Sequence, residues 1–87
     1  MSKQELQRFL TRTLKLRSPR FELERLPGGK LSGSVISDTF KGKTDLARQK
    51  AIWDALDKAY GARSTAEVGT LLAYTTAEWN VDLAGKP

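Results

Sequence analysis

The chain has 87 residues, 39% apolar and 29% charged, with three prolines and seven glycines, the make-up of one small domain that buries about 60% of its unfolded surface and holds no large enclosed chamber. It contains no cysteine and no histidine, which excludes disulfides, thiolate and imidazole nucleophile systems, zinc sites and self-contained iron–sulfur ligation. Fifteen Lys and Arg stand against ten Asp and Glu, a net charge of +5, so an anionic partner is favoured over a cationic one.

Ser2 and Glu5 have capping-box spacing, and Leu6, Phe9, Leu10 and Leu14 then recur at helical intervals. This predicts a first helix over 3–16, ended by Ser18-Pro19. Its flanks are basic: Lys3, Arg8, Arg12, Lys15, Arg17 and Arg20 oppose Glu5 alone within the first twenty residues. Continued as a helix, Arg8, Arg12 and Lys15 fall at i, i+4 and i+7 and form a cationic ridge. Either the ridge attracts an anionic partner over long range, or it is a solvated face.

From Arg20 to Leu26 apolar and charged residues alternate, with Phe21 and Leu23 on one side and Glu22 and Glu24 on the other, the pattern of a half-buried strand. Pro27-Gly28-Gly29-Lys30 turns the chain into a second strand over 31–37, giving an antiparallel hairpin. Gly28 and Gly29 are turn formers and not a phosphate loop, because no helix follows them. The polar connection 38–44 leads into a helix over 45–60, with Leu46, Ile52, Trp53, Leu56 and Tyr60 on one face, Thr44 or Asp45 capping it, Gly61 closing it and Lys50 pairing with Asp54. A loop around 61–65, a third strand over 68–74 and a short helical turn near 77–80, opened by Thr75 and Glu78, complete the chain before a frayed tail over 81–87.

The predicted order is α-β-β-α-β with a terminal turn. A long helix between the second and third strands makes them parallel, so the expectation is an α+β domain with a three-stranded mixed sheet and helices on one face. No apolar run approaches the ~18 residues that span a bilayer, and no paired carboxylate, Lys or Tyr arrangement looks catalytic. The expectation is a soluble, cytoplasmic, non-enzymatic protein with no membrane contact and no resident cofactor or metal.

The run Val35-Ile36-Ser37-Asp38-Thr39-Phe40-Lys41-Gly42-Lys43-Thr44, with Ala47-Arg48-Gln49-Lys50 and the closing Tyr74-Thr75-Thr76-Ala77-Glu78-Trp79, resembles the BolA family over about residues 20–80. That family's pattern is a strand, Ser-Asp-x-Phe-x-Gly-Lys, a helix opening with a basic cluster, and Thr-Pro-Glu-Glu-Trp, in which Thr76 here replaces the proline. The resemblance implies a K-homology-like fold of the second type. It implies two functions: binding of DNA or RNA in transcriptional regulation and stress response, and partnership with monothiol glutaredoxins around a shared [2Fe-2S] cluster held by a family histidine.

Glu67 lies at or near the position of that histidine, and a carboxylate matches such a cluster poorly. Phe40-Lys41-Gly42-Lys43 falls where K-homology domains carry a Gly-x-x-Gly loop before a helix N-terminus. The proposed nucleic-acid contacts are therefore Lys41, Gly42, Lys43, Arg48 and Lys50, with Arg8, Arg12 and Lys15 as a secondary basic ridge. Against these stand plainer roles: Gly42 as a turn former, Phe40 as a core plug, Trp53 and Trp79 as core, and Asp38 as a cap for loop backbone.

Overall fold

A computed structural model of the chain describes residues 1–84, and side chains as far as Val81. Helix α1 spans Lys3–Thr13, with the Ser2 hydroxyl accepting the Glu5 N–H at 3.0 Å and Leu6 and Leu10 buried. It stops three residues short of the predicted 16. Leu14 N–H reaches the Leu10 carbonyl, Leu16 N–H reaches the Thr11 carbonyl, and Lys15 between them adopts φ 52°. This is a Schellman closure with lysine in the position glycine usually takes, driven by insertion of Leu16 into the core. The proline is not what ends the helix.

Strands β1 (Arg20–Arg25) and β2 (Leu31–Ile36) pair antiparallel, with Arg20 opposite Ile36 and Arg25 opposite Leu31. Strand β3 (Val68–Tyr74) pairs parallel to β2, giving the order β1-β2-β3 that the crossover argument predicts. An extra residue in β3 breaks the register between Leu31 and Gly33, and the buried Ser32 hydroxyl accepts the stranded Thr70 N–H at 3.1 Å. Gly33 has φ 149°, and a Cβ there would sit 1.9 Å from the Glu22 carbonyl oxygen, so β1 closes on bare backbone.

Helix α2 spans Asp45–Tyr60, with Thr44 accepting the Ala47 N–H at 3.1 Å and Gly61 closing it at φ 57°. The stretch predicted as a loop around 61–65 is instead a short helix, α3 (Ala62–Glu67). Its alanines are strong helix formers, Ser64 N–H and Oγ both donate to the Gly61 carbonyl, and Arg63 pairs with Glu67 one turn on. Helix α4 (Thr76–Ala84) is longer than the predicted turn, and it replaces the expected tail as far as Ala84; residues 85–87 of that expectation lie outside the described residues.

Leu6 and Leu10 of α1 and Ile52 and Leu56 of α2 meet Leu31, Val35, Val68, Leu71 and Ala73 of the sheet in one core, with Phe40 closing one end. Phe9 and Tyr60 stack edge to face at 5.0 Å between α1 and the end of α2. Among the described residues no helix is long and apolar enough to cross a membrane.

Candidate functional site

The segment from Ser37 to Thr44 joins the end of β2 to α2 and is held from three directions. A 3-10 turn over Asp38–Phe40 begins with Ser37, whose hydroxyl accepts the Thr39 N–H at 3.2 Å and donates to the Arg17 carbonyl at 2.8 Å. Arg17 N–H in turn donates to Thr39 Oγ1 at 2.9 Å, which ties the linker after α1 to this turn. Asp38 caps backbone as expected, yet the N–H it accepts, at 3.0 Å, belongs to Thr76 at the start of α4. Phe40 is 2% exposed, so it plugs the core and offers no stacking platform.

Beyond Phe40 the chain is open to solvent. Lys41, Gly42 and Lys43 are exposed, Gly42 has φ 80°, and a Cβ on it would meet nothing within 4 Å. Lys41 and Lys43 make no ion pair among the described residues. Lys50, also exposed, pairs with Asp54 at 3.3 Å as its spacing predicts. Between two such exposed side chains the attraction is small.

Arg48 is the correction. Proposed as a phosphate contact, it is 5% exposed and every nitrogen of its guanidinium already donates to the protein. Nε donates to the Lys43 carbonyl at 2.9 Å, Nη1 to the Ala73 carbonyl at 3.1 Å and to Glu78 Oε1 at 2.6 Å, and Nη2 to Glu78 Oε2 at 3.2 Å. The group also lies 6.0 Å from the centre of the Phe40 ring. The Arg48 guanidinium, with help from the Thr75 N–H, holds the Glu78 carboxyl down at about 2, and Glu78 raises Arg48 above its ordinary value. The pair stays charged across the physiological range, and Arg48 joins loop 41–44, β3 and α4 at one point.

Leu46, predicted on the buried face of α2, is 79% exposed, because Arg48 takes the core-facing place one turn before Ile52. The sequence held a signal for this: Arg48, Ile52, Leu56 and Tyr60 recur at constant four-residue intervals. The capping box of Thr75 and Glu78 forms as predicted, with Thr75 N–H donating to Glu78 Oε1 at 2.8 Å and Glu78 N–H to Thr75 Oγ1 at 3.2 Å. What spacing did not reveal is that the same carboxylate also receives Arg48. Between α2 and α4 lies an open groove of about 510 Å³, lined by the apolar Tyr74, Ala77 and Val81 and by Asp45.

The basic ridge is not assembled as predicted. Arg8 and Arg12 share an exposed face of α1, whereas Lys15 lies past the helix end in a left-handed conformation and leaves that row. Trp53 and Trp79 are half-buried, and Trp79 packs edge to face on Tyr74 at 5.4 Å.

No family model matches the sequence and no curated protein matches it. Solved structures do match. A Bol-like protein from Babesia bovis superposes with TM-score 0.62 at 20% identity, covering 95% of this chain and 94% of that one. A BolA homologue from Coxiella burnetii gives 0.65 at 20% identity over 92% and 97% of the two chains. The BolA domain of SufE1 from Arabidopsis thaliana gives 0.58 at 18% identity over 90% and 98%. The chain is thus an α+β protein with the three-stranded mixed sheet predicted from its patterns. Its fold is that of BolA-like proteins.

That fold raises the question of a [2Fe-2S] cluster, and the donor chemistry of this chain does not fit one. Glu67, at the end of α3, pairs with the Met1 amino group and with Arg63 Nε at 2.7 Å, and these partners lower its carboxyl to about 2. It is a hard oxygen donor already committed to two cations. Among the described residues no group of three or more His, Cys, Asp or Glu converges on a point.

Proposed function

We propose that the chain is a non-enzymatic binding and regulatory module that meets the phosphates of nucleic acid through residues 41–43 at the entrance to α2. The observation that carries this reading is the exposed pair Lys41 and Lys43, without ion pairs among the described residues, on either side of a glycine with open surroundings. Backbone amides near a helix start and two free cations are the elements of a phosphate contact. Asp45, in the first turn of α2, repels an anion from the groove side, so contact falls on Lys41, Gly42 and Lys43. Lys50 is paired with Asp54, whose opposite charge cancels its pull on an anion at long range, so it adds little to the contact.

Fluorescence anisotropy with short DNA and RNA at two salt concentrations tests this. Binding is expected to weaken as salt rises and to weaken further when Lys41 and Lys43 are both replaced by alanine. Absence of submillimolar affinity, or indifference to the double substitution, overturns it.

A second reading, docking of a monothiol glutaredoxin, is favoured by a separate observation: Leu46 and Val81 are 79% and 71% exposed, and Val81 lines the apolar groove between α2 and α4. Isolated exposed leucines are ordinary, but apolar side chains gathered at a groove mark contact surfaces. Such docking is a protein–protein contact with no cluster ligand from Glu67. Gel filtration of the mixture, with parent protein and with a Leu46→Ser, Val81→Ser variant, separates it from the first reading.

A further inference from the structure

Arg8 and Arg12 stand one turn apart on α1, both exposed, and neither is ion-paired among the described residues. Like charges at this spacing mildly destabilise a helix, so helix stability does not account for them. Both line a hollow of about 260 Å³ between α1 and β1, whose other walls are Gln7, Thr11, Pro19 and Phe21. No carboxylate lines that hollow. Two guanidiniums beside an aromatic ring and an amide are suited to one phosphate with its attached base resting on the ring.

This hollow is joined rigidly to residues 41–43. Pro19 in its wall precedes Arg20, which pairs with Ile36 at the end of β2, one residue before Ser37. Arg17 donates its N–H to Thr39 Oγ1 at 2.9 Å and its guanidinium Nη2 to the Asp38 carbonyl at 3.2 Å, and its carbonyl accepts the Ser37 hydroxyl at 2.8 Å. The three bonds fix the basic end of α1 against the turn that leads into Lys41 and Lys43.

We infer that the α1–β1 hollow is a second phosphate site, and that a single strand of nucleic acid runs from it past Arg17 to residues 41–43. This rests on the reading given under Proposed function and extends it by naming an extended single strand as the partner. The duplex alternative is disfavoured by the aromatic floor, since paired bases have no free face to lay on Phe21.

The test uses fluorescein-labelled oligodeoxyadenylates of about four and about twelve nucleotides, lengths that bracket one and two contact sites. The longer strand is expected to bind more tightly. Joint substitution Arg8→Gln and Arg12→Gln should lower its affinity about 25-fold at 0.1 M salt, and reduce the slope of log K against log salt by about 1.4, the counterion-release value for two lost contacts. The shorter strand, held at the loop, should be unaffected. The charge-conserving pair Arg8→Lys and Arg12→Lys should keep the slope, which separates loss of charge from loss of fold.

Equal affinity for both lengths, or an unchanged slope in the glutamine variant while Lys41→Ala with Lys43→Ala abolishes binding, overturns the second site and leaves the loop reading standing. Equal losses for both lengths in the glutamine variant also overturn it. If neither strand binds the parent protein, the loop reading falls, and this inference with it.

Discussion

Lys15 shows how a single residue carries a cost that sequence periodicity conceals. Its φ of 52° lies in the left-handed region, where a Cβ crowds the following carbonyl oxygen and costs an L-residue about 1–2 kcal/mol. The Schellman bonds around it and the burial of Leu16 hold it there. Lys15→Gly is expected to stabilise the protein by about 1 kcal/mol, raising the melting temperature by roughly 4–8 °C in a chain of this length; a lower melting temperature would refute the strain account. Gly33 is the opposite case. Its Cβ would stand 1.9 Å from the Glu22 carbonyl oxygen, and no rotamer relieves a clash with backbone. Gly33→Ala should separate β1 from β2 and cost more than about 3 kcal/mol, visible as loss of the cooperative thermal transition.

Between elements, Arg48 is the fastener of α4. It joins the carbonyls of Lys43 and Ala73 to the Glu78 carboxylate, so three backbone segments depend on one side chain. A half-exposed carboxylate can rehydrate after the arginine is removed, but the Ala73 carbonyl cannot easily do so, since its bond to Nη1 is buried. Arg48→Met is therefore expected to cost about 2–3 kcal/mol, below the value for a wholly buried pair. Amide exchange should accelerate first in α4 and in residues 41–44. If exchange rose evenly over the protein, the fastener role would be wrong. Leu46 lies only two residues earlier and faces water, so Leu46→Ser should leave the stability within about 0.5 kcal/mol of the parent value.

For the molecule as a whole, two carboxyls dominate the acid limb of stability. Glu67 and Glu78 both fall from the usual 4.5 to about 2 on folding. Their pKa values are depressed in the folded state, so the unfolded chain takes up these protons first, and stability gained from them is complete above pH 4.5 and is lost as pH falls toward 2. The melting temperature should be flat from pH 7 to pH 5 and then drop through that window. Glu78→Gln should shorten the drop and start from a lower plateau, which a set of calorimetric scans against pH would show. A parent curve flat down to pH 2 would contradict the ion-pair geometry.

Both strands of the hairpin, the third strand, the parallel crossover and the start and end of α2 were legible in the sequence because each depends on neighbours in the chain: alternation, a glycine turn, a cap hydroxyl three residues before an amide. The exposed Lys41, Gly42 and Lys43 were legible for the same reason, as a polar stretch between two patterned ones. What needed the tertiary structure were the places where a distant partner decides. Arg48 reads as one more cation until Glu78, thirty residues away, comes to meet it. Helix α1 reads as running to Leu16 until the core takes Leu16 and turns Lys15 left-handed. Asp38 reads as a loop cap until it receives the first amide of α4. Local hydrogen bonding and periodicity are written in spacing along the chain, but the pairing of a buried charge depends on which segments fold against each other, and spacing carries no record of that.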